Sequence, residues 1–397
     1  MKILFLSAWF PYPPDNGSKI RVFNLIRELS RRHEVSLVSF AAAGEGKTLG
    51  DLEDFCARVV AVPQIAFRPG SLRSALGFLA PVPRSVVATH SRQMRDAVVE
   101  ETRAFRPDVV VFSQLGTAVY ASFVRGVPKL LEELEVTVMK EQFTLEARPL
   151  ARLRWRLTWW KFGRFVRGLL RGFDACTAVS EREKRAIAGI APAGYPVEIV
   201  PNGVDVKSIR PNGSMPQEGT LVFSGALTYD ANLDAMNYFL AEVYPRIRER
   251  HPQVALTITG RYDGVFLHGL NLDPSVLLSG YVPDIRPVVG KSWACVVPLR
   301  VGGGTRLKIL EAMALGTPVV ATSKGAEGLD VTNGGNILLA DEPEAFANAV
   351  IRLLGDPSLR ASLAQEGRAL VETKYGWEEI GRKLDGVVER IAAGKTG

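Results

Sequence analysis

Short apolar runs alternate along the whole chain with segments whose apolar residues recur at helical spacing. Ile3 to Leu6 opens the pattern as a strand, and a loop rich in proline leads into a helix over 20–31. Strands are predicted over 34–40, 59–62 and 109–112, with a helix over 92–103 before the last of them. Val-rich runs separated by helices predict parallel strands joined by crossovers. A strand near Cys176 to Val179 continues the series. The expected class is therefore α/β, with doubly wound parallel sheets.

Pro201-Asn202-Gly203 and the polar stretch NGSMPQEG are turn and linker chemistry, so a boundary is expected over 201–216. A second series then opens at 221–223 and continues with a helix to Arg250 and strands over 255–259, 276–278 and 295–297. Each of these strands ends in glycine or a loop on the same side. Ligands of such sheets sit beyond the carboxyl ends of the strands. In the first series this singles out the loop from Phe10 to Ser18, where Gly17 would let backbone approach a ligand. Plain turn duty for that loop is nearly as good an account.

The most informative stretch is PLRVGGGTRLKILEAMALGTPVVATSKGAEGL, from Pro298 to Leu329. It reads as a strand ending at Pro298 and Leu299, a triple-glycine loop at 302–304, a helix and another strand. A glycine loop feeding a helix start offers unpaired N–H groups and a positive dipole end to an anion. Thr305, Arg306 and Lys308 add a hydroxyl and two cations there. The spacing is not that of a P-loop, because Gly-Lys-Ser/Thr is missing. What adds specificity is the continuation Glu311-Ala312-Met313-Ala314-x-Gly316-x-Pro318-Val319-Val320.

This continuation resembles the donor-binding segment of the retaining nucleotide-sugar glycosyltransferases of family four, which have the two-domain GT-B fold. The resemblance implies two Rossmann-like domains facing an interdomain cleft. The first would span 1–205 on the acceptor side and the second 206–375 on the donor side, with YGWEEI at 375–380 opening a helix, about 376–397, that crosses back. It also implies that Glu311 accepts from the ribose hydroxyls, a task suited to a carboxylate; a satisfied acidic residue on a core helix is the plainer alternative. Gly225, Arg261, Tyr281, Val282, Gly303, Gly304, Thr305 and Leu307, with Gly17, complete the expected donor-binding set.

Departures from the family pattern narrow the chemistry. Gly303 stands where a second glutamate usually reads the donor sugar, so that contact falls to the glycine loop's N–H groups or to Glu327, which reads equally well as a solvated loop residue. The loop from Gly225 to Asn232 lacks the Arg and Lys that often hold the diphosphate, which leaves Arg306 and Lys308 as the nearest cations. Arg306, Lys308 and Glu327 are thus the catalytic candidates. Cations at the diphosphate stabilise the departing charge more than the ground state. No Asp-x-Asp pair occurs, so neither metal nor other cofactor is expected beyond the nucleotide-sugar substrate. Ser113-Gln114 replace a family histidine, and His33, His90, His251 and His268 are expected at the surface. Glu132-Glu133-Leu134-Glu135 reads first as a solvated acidic turn; the alternative is a carboxylate, Glu135 among them, that polarises an acceptor hydroxyl. Ser113, Gln114 and Glu135 form the acceptor-side set.

Composition changes the picture in three respects. A chain of 397 residues with 47% hydrophobic content suits two packed domains. Three scattered cysteines without a CxxC pair disfavour disulfides and zinc and point to a reducing cytoplasm, and no signal peptide or spanning helix is expected. Residues 1–200 hold 29 basic against 20 acidic side chains, whereas the rest hold 20 against 22, so an anionic partner is expected on the first half only. Much of that excess lies over 148–173, where Arg152, Arg154, Arg156, Lys161, Arg164, Arg167 and Arg171 interleave with Trp155, Trp159, Trp160, Phe162 and Phe165. That pattern suits a helix on an anionic membrane at the inner face of the plasma membrane. It suits equally a core helix whose arginines snorkel outward. No nucleic-acid signature accompanies it.

The expected activity is transfer of a hexose from a nucleotide-diphosphate sugar to a glycan or lipid-linked acceptor in cell-surface polysaccharide or glycolipid synthesis. Two alternatives stay open: a nucleotide-sugar 2-epimerase of the same fold, and a non-catalytic membrane-associated partner in polysaccharide assembly.

Overall fold

The computed structural model describes residues 1–68, 82–83, 86, 89–137, 149–211, 213, 215–303 and 306–394. The chain divides into two compact units, Met1–Pro201 with Ile380–Gly397, and Asn202–Glu379. The first holds seven parallel strands: β1 (Lys2–Ser7), β2 (Glu34–Ala41), β3 (Arg58–Pro63), β4 (Val109–Ser113), β5 (Lys129–Glu132), β6 (Ala175–Ala178) and β7 (Val197–Ile199). Their order is β3-β2-β1-β4-β5-β6-β7. Ile3 to Leu6 and Val109 to Phe112 are fully buried, which is why the central strands read as unbroken apolar runs. Helices α1 (Gly17–Ser30), α2 (Arg92–Phe105), α3 (Pro149–Leu170) and α4 (Glu181–Ala188) lie in the same unit. The side chains of Asn16, Ser91 and Ser180 accept from backbone N–H groups in the first turns of α1, α2 and α4, so local sequence starts these helices where they start.

The second unit repeats the arrangement with six parallel strands: β8 (Gln217–Ser224), β9 (Ala255–Thr259), β10 (Val276–Gly280), β11 (Ser292–Val297), β12 (Val319–Ala321) and β13 (Leu338–Leu339), ordered β10-β9-β8-β11-β12-β13. Helix α5 (Asp230–Tyr238) follows β8, and α6 (Leu307–Ala314) lies between β11 and β12. In both sheets the strand order reverses beside the first strand, between β1 and β4 and between β8 and β11. Those reversals leave a crevice at the carboxyl ends of the two flanking strands.

The last helix, α7 (Trp377–Ala393), runs from the second unit into the first. Within the first unit Asp385 accepts from Arg32 at 2.6 Å and faces His33 Nε2 at 2.5 Å, and Arg390 donates to Glu198 at 2.9 Å. His33 is therefore not the surface residue its lack of a motif suggests; the returning helix covers its ring. Gly381 marks the closest approach, because a Cβ there would stand 2.4 Å from Glu28 Cβ of α1. Alanine normally stabilises a helix by about 1 kcal/mol over glycine. Here Gly381→Ala is expected to destabilise by about 1–3 kcal/mol through overpacking. Urea unfolding of the full chain checks this, and a stabilised variant would show that α7 has room to shift.

Helix α3 covers most of residues 148–173; Arg148 lies outside the described residues, as does the side chain of Arg154. Phe162, Val166 and Leu170, four residues apart, are buried in the core. Leu153, Leu157 and Trp160, at 64%, 56% and 58% exposure, form an outward apolar stripe. Arg152, Arg156, Arg164 and Arg167 are exposed as well, with the Arg164 guanidinium over the Trp160 ring at 5.4 Å. Among the described residues no helix is long and apolar enough to cross a membrane.

Candidate functional site

At the sheet reversal of the second unit, β8 and β9 run directly into Gly225 and Gly260, and β10 ends on Gly280. Gly225 N–H donates to Thr259 O at 3.1 Å and Gly260 N–H to Gly280 O at 2.8 Å, so the three strand ends step past one another without side chains. A Cβ on Gly225 would meet Asn232 Nδ2 and Lys308 Nζ, each at 2.8 Å, and one on Gly260 would meet Ala226 N at 2.5 Å. Glycine is required at both places because backbone and functional side chains occupy the space a side chain needs.

Lys308 is the centre of this group. It projects from the first turn of α6, donates to Asn232 Oδ1 at 2.8 Å and stands over the Phe223 ring at 4.0 Å. Burial brings its ammonium down to about 7, with Arg306 pushing the same way and Cys295 and Glu311 opposing. One turn on, burial pushes the Glu311 carboxyl up to about 7 against the pull of Lys308. Both side chains are half-buried. Lys308 and Glu311 are thus a cation and a carboxylate both shifted toward neutrality beside the strand ends, and such shifts gather at functional sites. Arg306, in the capping position of α6, supplies no side-chain cap, so the helix start keeps N–H groups and dipole for an anion.

Arg306 itself is turned into the loop. It is buried and donates to the carbonyls of Gly303 at 3.1 Å, Gly302 at 2.9 Å and Lys324 at 3.1 Å. The guanidinium clasps the glycine loop onto the turn after β12, and Glu327 lies against it at 3.9 Å while taking Lys324 Nζ at 2.7 Å. Gly302 is fitted to Tyr229 and Ala231 at the start of α5. Leu307 opens α6, and Gly303 is half-buried in the loop; Gly304 and Thr305 lie outside the described residues. Arg261 and Tyr281, at the ends of β9 and β10, stack with the guanidinium 5.3 Å from the ring, and Tyr281 is 64% exposed. Val282 follows, half-buried.

The corresponding reversal of the first unit carries a second group. Gln114 and Glu133 follow the last residues of β4 and β5, and their side chains meet, Gln114 Nε2 donating to Glu133 Oε2 at 2.8 Å. Beneath them Arg21 of α1, fully buried, donates to Glu132 Oε1 at 2.7 Å and to the carbonyls of Val200 and Pro201 at 2.8 Å each. The other Glu132 oxygen accepts from Ser113 Oγ at 2.7 Å. The solvated acidic turn expected at 132–135 is therefore corrected: Glu132, Glu133 and Leu134 are buried, and Glu135 alone is exposed. The reason is a cation arriving from another helix, which spacing along 132–135 does not reveal. Ser113 is consumed by Glu132. Gly17 is exposed at the start of α1, and its neighbour Ser18 lies 3.4 Å from Gln114 Nε2.

Asn232 and Phe223, which hold Lys308, and Arg21 are marked by no motif, whereas Glu133 lies in the acidic stretch whose carboxylates the sequence offers for an acceptor hydroxyl. Asn232 carried one faint signal, its position in the loop and helix start that follow the glycine after β8.

Comparison with known proteins bears on the family and the fold. Residues 15–208 match the family profile described as Glycosyltransferase Family 4, and residues 218–356 that described as Glycosyl transferases group 1. A protein in the cps region of Klebsiella pneumoniae is 22% identical over 96% of this chain and 97% of its own. A GDP-mannose-dependent phosphatidylinositol monomannoside mannosyltransferase of Corynebacterium glutamicum is 25% identical over 54% of this chain, which spans 62% of that relative's length. A phosphatidyl-myo-inositol mannosyltransferase of Mycobacterium leprae is 30% identical, and the chain spans 53% of it. Among solved structures, sucrose-phosphate synthase from Thermosynechococcus elongatus superposes over all of both chains with a TM-score of 0.69 at 19% identity. Anabaena HepE in complex with UDP gives 0.69 over 98% of this chain and 100% of its own, at 18% identity. With each half of the chain matched by its own glycosyltransferase profile and both parallel sheets shared with these structures, the chain belongs to the family-four, group 1 glycosyltransferases and has the GT-B fold.

Proposed function

We propose that the protein is a retaining, metal-independent glycosyltransferase that moves a hexose from a nucleotide-diphosphate sugar to a hydroxyl of a glycan or lipid-linked acceptor. The observation that carries this reading is Lys308, held by Asn232 against Gly225 beside the uncapped start of α6, at the strand reversal of the second unit. In this reading the second unit binds the donor. Glu311 accepts from the ribose, and Lys308 with the α6 N-terminus holds the diphosphate. Arg306 shapes the loop and adds its charge, Glu327 and the N–H of Gly303 face the sugar, and the Arg261–Tyr281 stack borders the base.

The acceptor oxygen bonds to the anomeric carbon as the bond from that carbon to the diphosphate breaks, its electron pair leaving with the phosphate oxygen. The hydroxyl proton passes to that same oxygen. Negative charge grows on the phosphate, and a fixed cation with a helix dipole stabilises it without a metal. The first unit takes the acceptor. Its basic excess and the exposed Leu153, Leu157 and Trp160 stripe among arginines favour an acceptor presented at an anionic, cytoplasmic membrane face. The lipid-modifying mannosyltransferases among the relatives support the same acceptor class.

A thermal-shift panel of UDP-glucose, UDP-galactose, UDP-N-acetylglucosamine and GDP-mannose tests the donor side, since a ligand of the folded state raises the melting point. At least one is expected to do so and to release free nucleoside diphosphate faster when an acceptor is added. No shift from any of them removes the reading, and donor interconversion without acceptor replaces it with epimerisation. For the membrane side, flotation on phosphatidylglycerol vesicles at low salt is expected to recover the protein and to fail for Leu157→Glu/Trp160→Glu. Absence of wild-type binding removes that part alone.

A further inference from the structure

Gln114 and Glu133 share a feature that core packing does not call for. Gln114 has φ 65° and ψ 164°, a region of backbone space occupied almost wholly by glycine, and Glu133 has φ 56°. Both residues follow the last positions of β4 and β5, whose ends are paired in parallel register through Ser113 and Glu132. Strained backbone persists where the surroundings over-determine it, and it gathers at ligand sites. Here the strain turns the two side chains toward each other at the sheet's carboxyl edge, where they hydrogen-bond at 2.8 Å.

The pair rests on a finished base. Arg21 is engaged by Glu132, Val200 and Pro201, and the Glu133 backbone N–H donates to Thr177 Oγ1 at 2.9 Å. One Glu133 oxygen accepts from Gln114. The other lies 3.6 Å from Arg21 Nε and takes no hydrogen bond from any described residue. Glu132, by contrast, has both oxygens filled, by Arg21 and Ser113. That second oxygen is not among the buried atoms left without a partner, so it stands open to a further donor from outside. The charged groups around it are Arg21 from α1, Glu132 on its own strand and Glu135 just beyond. Burial, with the two glutamates, outweighs Arg21 and Gln114 and pushes its carboxyl up to about 7.

We propose that Glu133 is the group of the first unit that accepts the hydrogen bond of the incoming acceptor hydroxyl, and that Gln114 is its positioning residue. This rests on the transferase reading above and names the acceptor-hydroxyl contact within it. The chemical class that fits is a sugar or polyol hydroxyl, because a carboxylate oxygen takes a donor; the hydroxyl's one hydrogen points to Glu133 on approach and turns to the departing phosphate oxygen as the bond to the anomeric carbon breaks. In buffer alone, water takes the hydroxyl's place: its oxygen bonds to the anomeric carbon, the bond to the diphosphate breaks with its electrons to phosphate, and one water proton follows to that phosphate.

The test measures release of free nucleoside diphosphate from whichever donor of the panel binds, without acceptor, together with calorimetric affinity for UDP or GDP. Glu133→Gln is expected to slow release about tenfold or more, as loss of a charged hydrogen bond does, with nucleotide affinity unchanged. Gln114→Gly relieves the backbone strain, so its melting temperature is expected not to fall while release slows. That combination separates positioning from structural support, and it still decides the matter should Glu133→Gln fail to fold. Unchanged release in a folded Glu133→Gln, or in Gln114→Gly, overturns the assignment while the transferase reading stands. A wild type that binds no nucleotide sugar overturns the transferase reading, and the assignment with it.

Discussion

Replacing Lys308 by alanine is expected to lower turnover by about a hundred- to a thousandfold, the effect typical of removing one preorganised donor from a site of developing negative charge. Nucleotide affinity should fall much less, because the charge grows as the bond to the sugar breaks. Saturating-donor kinetics check this, and unchanged turnover would move the diphosphate elsewhere. The same lysine predicts a proton signature. Its ammonium is down at about 7, so above that pH the ligand-free side chain is largely neutral, and a bound diphosphate draws a proton onto it. At pH 8 nucleotide binding should therefore take up close to one proton, about 0.9 by linkage, and affinity should weaken as pH rises further. Glu311 has the opposite sign. Its carboxyl is up at about 7, so below that pH it is protonated, and accepting ribose hydroxyls releases a proton. Calorimetry in buffers of differing ionisation enthalpy reads both, and Lys308→Ala should lose the uptake while Glu311→Gln loses the release.

Arg21→Met or Glu132→Ala is expected to destabilise the first unit by about 3–5 kcal/mol, because each leaves an opposite charge buried without its partner. Burial alone would lower the Arg21 pKa, yet Glu132 and Glu133 more than offset it and raise it, so the guanidinium stays charged. For a unit of this size the loss corresponds to about 6–20 °C in melting temperature. Arg21→Met is expected to be the worse of the two, since it also strips donors from the carbonyls of Val200 and Pro201. The double replacement Arg21→Met/Glu132→Leu should cost less than the sum of the singles. Calorimetric melts of all three check this; additive losses would mean that the two side chains act independently.

Most of the strands and their parallel pairing were legible because fully buried parallel strands must be apolar on both faces, as at Ile3 to Leu6 and Val109 to Phe112; the short β5 and β13 and the strand order were not. The glycines were legible for a related reason. Gly225 and Gly260 stand where backbone crowds backbone, and no other residue type fits. The acidic stretch at 132–135 misled because the cation that neutralises it lies 111 positions earlier, on a helix whose pattern shows only that Arg21 belongs to its buried face. His33 misled in the same way, its partner Asp385 being 352 positions away.

What the sequence by itself determined is the repeated α/β architecture and the glycine-rich strand ends, since these depend on local pattern and on backbone chemistry that few residue types satisfy. Only the tertiary structure decided which polar side chains pair. Lys308 finds Asn232 from 76 positions away, Arg306 turns inward to clasp its own loop, and Gln114 meets Glu133 across neighbouring strand ends. Hydrophobic burial follows periodicity and can be read along the chain. A buried charge must find its counter-charge through space, and that choice is made when the sheet order brings distant strand ends together.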